Sequence, residues 1–215
     1  MSWFQLGSDA LAQRARAAGG AATHLSSMVE SITRGLIGFT IMSIAGFAPW
    51  ALSGLHLYRS IGEAGLYAVC ALVFIVLSGP LLHRLIIGPG SLWRFYVLFS
   101  LAFFAYAAAW TVSWMTLGGN KGSIVGLLMG TVLMGWMLAA AFDAHRAATV
   151  VIAALFVGNA IGYFSGGWLL DLLSSTRTHP VFDKLAWGVC YGIGFGAALG
   201  FAFHVCQRAA RDRLK

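Results

Sequence analysis

What this chain of 215 residues has least of is acid: 7 Asp and Glu against 14 Lys and Arg, with charged residues only 10% of the whole. A soluble domain carries roughly 25% charged residues, so a chain this poor in charge cannot cover itself with a polar surface. Charge is also missing from the middle of every long apolar stretch; Glu63, Asp143 and Asp171 lie only near stretch ends. Proton-coupled carriers, pumps and voltage sensors generally need an ionisable group within the membrane, and acid-base catalysis needs positioned carboxylates. The shortage counts against both.

Other absences narrow the field further. The 3 cysteines, Cys70, Cys190 and Cys206, fall in or beside apolar segments without CxxC or Cys/His spacing, and their odd number argues against a disulfide framework. There is no GxSG serine, no GxGD or paired aspartates, no HExxH and no Walker motif. The paired NPA half-helices of the aquaporin pattern are missing too. No enzymatic activity, catalytic residue or metal site is therefore expected. Nor is a cofactor: His83 and His204 end two apolar stretches on one side, but without paired histidines inside the membrane they read as interfacial residues rather than haem ligands. The net charge of +7 comes without a long basic run interleaved with aromatics. It suits loops facing anionic lipid headgroups, and no nucleic-acid partner is expected.

What the chain does have is apolar bulk and glycine: 59% hydrophobic residues, a mean hydropathy of +0.80, 27 Gly, 15 Phe and 8 Trp. Six apolar stretches run over Leu36 to Leu57, Ala64 to Leu85, Phe95 to Leu117, Ser123 to Phe142, Ala147 to Leu170 and Leu185 to Val205. Each is long enough, at about 1.5 Å per residue, to cross a hydrocarbon core roughly 30 Å thick. A spanning segment must satisfy its own backbone, so all six are read as helices, spans one to six. The expected fold is an all-α integral membrane protein, a compact bundle of six transmembrane helices with short turns at SIGE (60–63), IGPGS (87–91), GGNKG (118–122), DAHR (143–146) and SSTRTHPVFD (174–183).

Arg14, Arg16, Arg34, Arg84, Arg94, Arg146, Arg208, Arg211, Arg213 and Lys215 fall on the side of the termini; Arg59, Lys121, Arg177 and Lys184 fall on the other. The positive-inside rule then puts both termini in the cytoplasm, with the inner (cytoplasmic) membrane of a bacterium as the expected location. Trp50, Trp93, Trp114, Trp136, Trp168 and Trp187 lie near span ends, where an amphipathic ring favours the headgroup region; Trp110 is one turn further in and Trp3 is in the tail. Residues 1–34 read as a cytoplasmic amphipathic segment. Ser27 and Glu30 form a capping box, and Leu25, Met28, Val29, Ile32 and Leu36 keep helical spacing, which predicts an interfacial helix joined to span one. Its Arg14 and Arg16 also permit an organellar targeting peptide. Residues 35–206 form the six-helix domain and 207–215 a basic cytoplasmic tail. Pro49 predicts a kink or hinge near Gly46.

The glycines are ordered. Gly122, Gly126 and Gly130 recur at spacing four in span four, Gly158, Gly162 and Gly166 in span five, and Gly188, Gly192, Gly196 and Gly200 in span six. In lipid such ladders allow close backbone packing, either within the bundle or at the face of a homo-oligomer or a membrane partner. Span three offers a complement: Phe95, Phe99, Phe103, Tyr106, Trp110 and Trp114 form one aromatic stripe that can fill glycine grooves or face lipid. The resemblance of GFAPWALSGLH (46–56) to GWMLAAAFDAH (135–145), and of SGPLLH (78–83) to GGWLLD (166–171), suggests a 3+3 inverted repeat of the kind transporters use.

The central polar residue is Asn159, with Gly162, Tyr163 and Gly166 on its face and Ser43, Thr40, Thr131 and Tyr191 as hydrogen-bond candidates by depth. Two functions follow. One is a small membrane channel or facilitated transporter for an uncharged or weakly charged small solute, its path marked by Asn159, Gly162, Gly166, Tyr163, Tyr191 and Thr131. The other is a non-transporting membrane subunit for scaffolding, assembly or sensing, its ladders binding its own helices or a partner.

Overall fold

The computed structural model describes residues 5–17, 25–176 and 179–215; Trp3 and Arg177 lie outside the described residues. The described residues are helical, with no strand. They form α1 (Ser8–Ala17), α2 (Met28–Leu82), α3 (Ser91–Leu117), α4 (Gly119–Ala141), α5 (Ala148–Ser175), α6 (Pro180–Cys206) and α7 (Arg208–Asp212). Six helical stretches are long and apolar enough to cross a membrane: Met28–Ser53, Leu55–Leu85, Ser91–Leu117, Gly119–Ala141, His145–Ser175 and Pro180–Cys206. The chain is a multi-pass membrane protein.

Spans one and two are the two arms of α2. The chain reverses at Gly62 (φ 73°, ψ 179°), a conformation that glycine alone reaches without a steric penalty. Beyond that turn the arms run antiparallel, Gly38 against Leu81 and Leu82, and Gly46 against Phe74. Backbone dihedrals stay helical at Pro49 and Pro80, so the only non-helical pair in α2 is at the reversal.

The capping box at Ser27 starts the first spanning helix itself. Ser27 Oγ accepts the Glu30 N–H at 3.1 Å, and Arg34 Nη2 reaches Glu30 Oε1 at 2.5 Å. Residues read from sequence as an interfacial helix are thus the first turns of α2, which begins at Met28 rather than Leu36. The separate N-terminal helix is α1. It buries Leu11, Ala12 and Ala15 and packs on α7, where Arg16 Nη2 donates to the Arg213 carbonyl at 2.6 Å and Asp9 pairs with Arg213.

The C-terminal residues, expected as a basic tail, are docked as well. Gln207 Nε2 donates to the carbonyls of Leu85 and Phe203, both at 2.8 Å, while its Oε1 accepts the Ile87 N–H at 2.8 Å. This one amide ties α6 to the turn between α2 and α3. Arg211, 5% exposed, donates to the Ser26 carbonyl at 2.5 Å and lies 3.3 Å from Ser26 Oγ. Burial pulls its pKa below the usual arginine value, with Glu30 acting in the opposite direction.

Spans adjacent in the chain pack antiparallel: the arms of α2, then α2 with α3, α3 with α4, α4 with α5, and α5 with α6. The first arm of α2 closes the ring on α6, and glycine sets that seam. A Cβ on Gly192 would stand 2.5 Å from the Thr40 Cα, one on Gly196 3.0 Å from the Leu36 Cα, and one on Gly200 2.8 Å from the Ile32 Cα. The half of the ring nearer the termini is packed solid around Phe39, Phe95, Phe99, Phe195 and Phe203, each 0–1% exposed. The other half is not.

Candidate functional site

Glycine and aromatic residues alternate between neighbouring helices at the end opposite the termini. On α4, a Cβ at Gly122 would come within 3.1 Å of the Trp114 Cα, one at Gly126 within 2.9 Å of the Trp110 Cα, and one at Gly130 within 3.0 Å of the Tyr106 carbonyl oxygen. On α5, a Cβ at Gly162 would come within 3.0 Å of the Tyr191 Cα, and one at Gly166 within 2.9 Å of the Trp187 carbonyl oxygen. The ladders bring two helices carrying large rings close to the bundle. Those rings, Tyr106, Trp110 and Trp114 from α3 with Trp187 and Tyr191 from α6, form walls of a cavity of about 640 Å³.

All six spans contribute to the lining, including Phe47 and Trp50 from the first arm of α2, Tyr67 and Phe74 from its second arm, Ser123 from α4 and Tyr163 from α5. More than half of the lining residues are aromatic. Trp110 and Trp114 stack at 5.8 Å with planes 5° apart, and Trp187 and Tyr191 at 5.4 Å and 6°. Ligand pockets commonly have about 300–1,000 Å³ and apolar walls with a few placed polar groups, and this cavity has both properties.

The polar groups are at the floor and the rim. At the floor the Tyr106 and Tyr191 hydroxyls share a hydrogen bond at 3.2 Å, and Asn159 Nδ2 donates to the Tyr106 hydroxyl at 2.8 Å. Asn159 is fully buried and its Oδ1 has no partner among the described residues. One wall is braced by the Ser123 and Tyr163 hydroxyls, 3.0 Å apart. Glu63 stands behind the rim, where Oε1 accepts the Tyr67 hydroxyl at 2.8 Å and the Trp114 Nε1–H at 3.1 Å. Asp171 is exposed at the mouth.

Of the residues that the sequence marks as a solute path, Tyr163 and Tyr191 line the cavity, and Gly162 and Gly166 lie in the seam behind Tyr191 and Trp187. Asn159 is one hydrogen bond below the floor. Thr131 is not brought to it; fully buried, its hydroxyl donates to the carbonyls of Leu127 at 2.7 Å and Leu128 at 3.1 Å on its own helix. Ser43 is also engaged elsewhere, donating to the Gly188 carbonyl at 2.7 Å. His83 and His204 are each held locally, Nδ1 at 2.9 Å from the Gly79 carbonyl and at 3.3 Å from Ser31 Oγ respectively. No group of three His, Cys, Asp or Glu side chains able to hold a metal ion comes together among the described residues.

The partner that Asn159 does find, Tyr106, stands out in the sequence only as part of an aromatic stripe. Trp50, Trp114 and Trp187, expected in an interfacial belt, also line the cavity; Trp168 stands at its mouth and is 67% exposed, and Trp93 and Trp136 are 74% and 59% exposed. The sequence does carry a signal for this: with Trp110, five tryptophans cluster at the end away from the termini and only two spanning ones lie near the other.

The hydrogen bond at the floor predicts unequal mutant effects. Tyr106→Phe strips the buried Asn159 amide of its partner and is expected to cost about 1–3 kcal/mol. Asn159→Leu removes the donor together with its orphaned acceptor and is expected to cost less than Tyr106→Phe. Unfolding of the two variants in the same detergent, followed by tryptophan fluorescence, measures the order; the reverse order contradicts the assigned bond.

No family model, curated protein or solved structure matches this chain.

Proposed function

We propose that this protein is a facilitated transporter for an uncharged or weakly charged small solute, which enters the aromatic cavity from the side opposite the termini. One observation carries the reading: a ligand-sized space of about 640 Å³, walled by all six spans and ending on the paired hydroxyls of Tyr106 and Tyr191. A wall of rings suits a solute with substantial apolar surface, and the floor supplies hydrogen-bonding groups that orient it. Because the terminal half is packed, passage takes a second arrangement of the helices rather than a standing pore. A relation between spans one to three and four to six would supply it, with one half rocking against the other.

In this reading the termini face the cytoplasm. α1, α7 and the turns after α2 and α4 gather at the end that carries Arg14, Arg16, Arg84, Arg146 and the basic residues of α7, which favours the anionic cytoplasmic leaflet. A C-terminal tag cleaved by protease in inverted but not in right-side-out vesicles checks this placement; cleavage only in right-side-out vesicles reverses it.

The packed half also favours a second reading, a non-transporting subunit that senses a ligand in the cavity or scaffolds a partner. Solute uptake into proteoliposomes, across a panel of neutral and singly charged compounds, separates the two. Saturable uptake of at least one compound, absent from empty liposomes, supports the transporter. Saturable binding without uptake supports the sensor.

A further inference from the structure

The charge pattern around the cavity says more about the solute than its size does. Among the described residues no lysine or arginine lines it, and Asp171, the only carboxylate of that lining, stands at the mouth with no ion-pair partner there. Glu63 lies directly behind two wall rings. One oxygen, Oε1, accepts both the Tyr67 O–H and the Trp114 Nε1–H. A hydrogen bond from a ring substituent to a carboxylate pushes electron density into the ring, so these two wall residues present more negative faces than isolated tyrosine or tryptophan. Trp114 is stacked on Trp110, which also lines the cavity.

A third ring already holds a cation. The Lys184 ammonium lies 5.0 Å from the centroid of Trp50, within the range at which the ring quadrupole attracts a positive charge. Its Nζ also donates to the Trp50 carbonyl at 3.4 Å; Trp50 lines the cavity and Lys184 does not. Among the described residues one rim ring is thus occupied by an ammonium group, and others, backed by a carboxylate, are not.

Resting on the reading that the cavity takes a small solute, we propose that this solute is an organic cation with a single positive charge on an apolar body, such as an alkylated or aryl ammonium. A neutral apolar molecule would use the walls but gain nothing from Glu63 and Asp171. An anion would be repelled by both. A small inorganic cation would lose its water without enough oxygen ligands to replace it, since the lining is mainly ring carbon. A bulky ammonium loses little hydration and is met by ring faces on several sides.

Isosteric probes test this. Phenyltrimethylammonium and tert-butylbenzene have the same shape and differ by one charge, and each can be titrated against the purified full chain by tryptophan fluorescence. The cation is expected to bind about tenfold or more tightly than its neutral isostere. Glu63→Gln, which keeps an acceptor for Tyr67 and Trp114 but removes the charge, is expected to weaken the cation several-fold and leave tert-butylbenzene unchanged. Lys184→Gln, which frees Trp50 and removes a competing ammonium, is expected to tighten the cation. Equal binding of the two isosteres, or tighter binding of benzenesulfonate, overturns the cation assignment while leaving a solute cavity. Failure of every probe to bind overturns the cavity reading as well.

Discussion

Gly194→Ala is expected to destabilise the folded protein by about 2 kcal/mol, and Gly194→Leu to prevent its recovery as a monodisperse species. A Cβ at this position runs into the Gly158 carbonyl oxygen and would stand 2.8 Å from both the N and the Cα of Gly162. All three neighbours are backbone atoms of α5, so no side-chain rotation can make room. The same obstruction is met from the other side, since a Cβ on Gly158 would lie 2.6 Å from the Gly194 carbonyl oxygen and 2.6 Å from the Ala198 Cβ. Ala is worth about 1 kcal/mol more than Gly in a water-exposed helix, but that gain is small where the helix is already enforced by lipid. The cost of separating α5 and α6 decides the sign. Gly167→Ala is the control: one residue along from Gly166, its Cβ would meet nothing nearer than Trp187 Nε1 at 3.9 Å, and it is expected to leave thermal stability unchanged. Unfolding curves in one detergent compare the two, and equal behaviour would refute the seam.

The difference between those glycines also explains how far the sequence can be read. Span number and approximate limits are legible because the bilayer imposes a length and a hydropathy that few other structures require. Facing is harder. In a soluble helix polar residues mark the outside, whereas α4 and α5 expose Leu133, Val157 and Ile161 to what would be lipid and bury Leu127 and Leu155 with the same chemistry. Only residues whose shape or polarity matters, glycine and Asn159 here, carry a facing signal. The tryptophans carry an ambiguous one, because an indole favours both a headgroup region and a polar-rimmed cavity, and both occur at span ends. The capping box at Ser27 locates the start of α2, but a capping motif is local and says nothing of how far the helix runs. The cavity itself is not legible. It arises where six helices from distant parts of the chain splay apart, and no short stretch of residues encodes that space.

Ala107→Trp is expected to abolish solute binding and uptake, by more than tenfold, without lowering stability. Enlarging a buried alanine normally strains a membrane or soluble core by about 1–3 kcal/mol, because packed interiors have no room. Ala107 is different: it is only half-buried, lies one residue beyond Tyr106 on α3, and lines an unfilled space of about 640 Å³. An indole placed there takes up volume that the solute needs and finds wall rings to stack on, so new dispersion attraction offsets the cost of ordering the larger side chain. Ala102 provides the contrast on the same helix. It is fully buried in the half of the bundle packed by Phe95, Phe99 and Phe203, and Ala102→Trp is expected to unfold the protein rather than block it. Measuring melting temperature and proteoliposome uptake for both variants therefore gives opposite signatures: function lost with the fold retained for Ala107→Trp, and the fold lost for Ala102→Trp. Full uptake by a folded Ala107→Trp would mean that the solute passes elsewhere, and the function assigned to the cavity would fall with it.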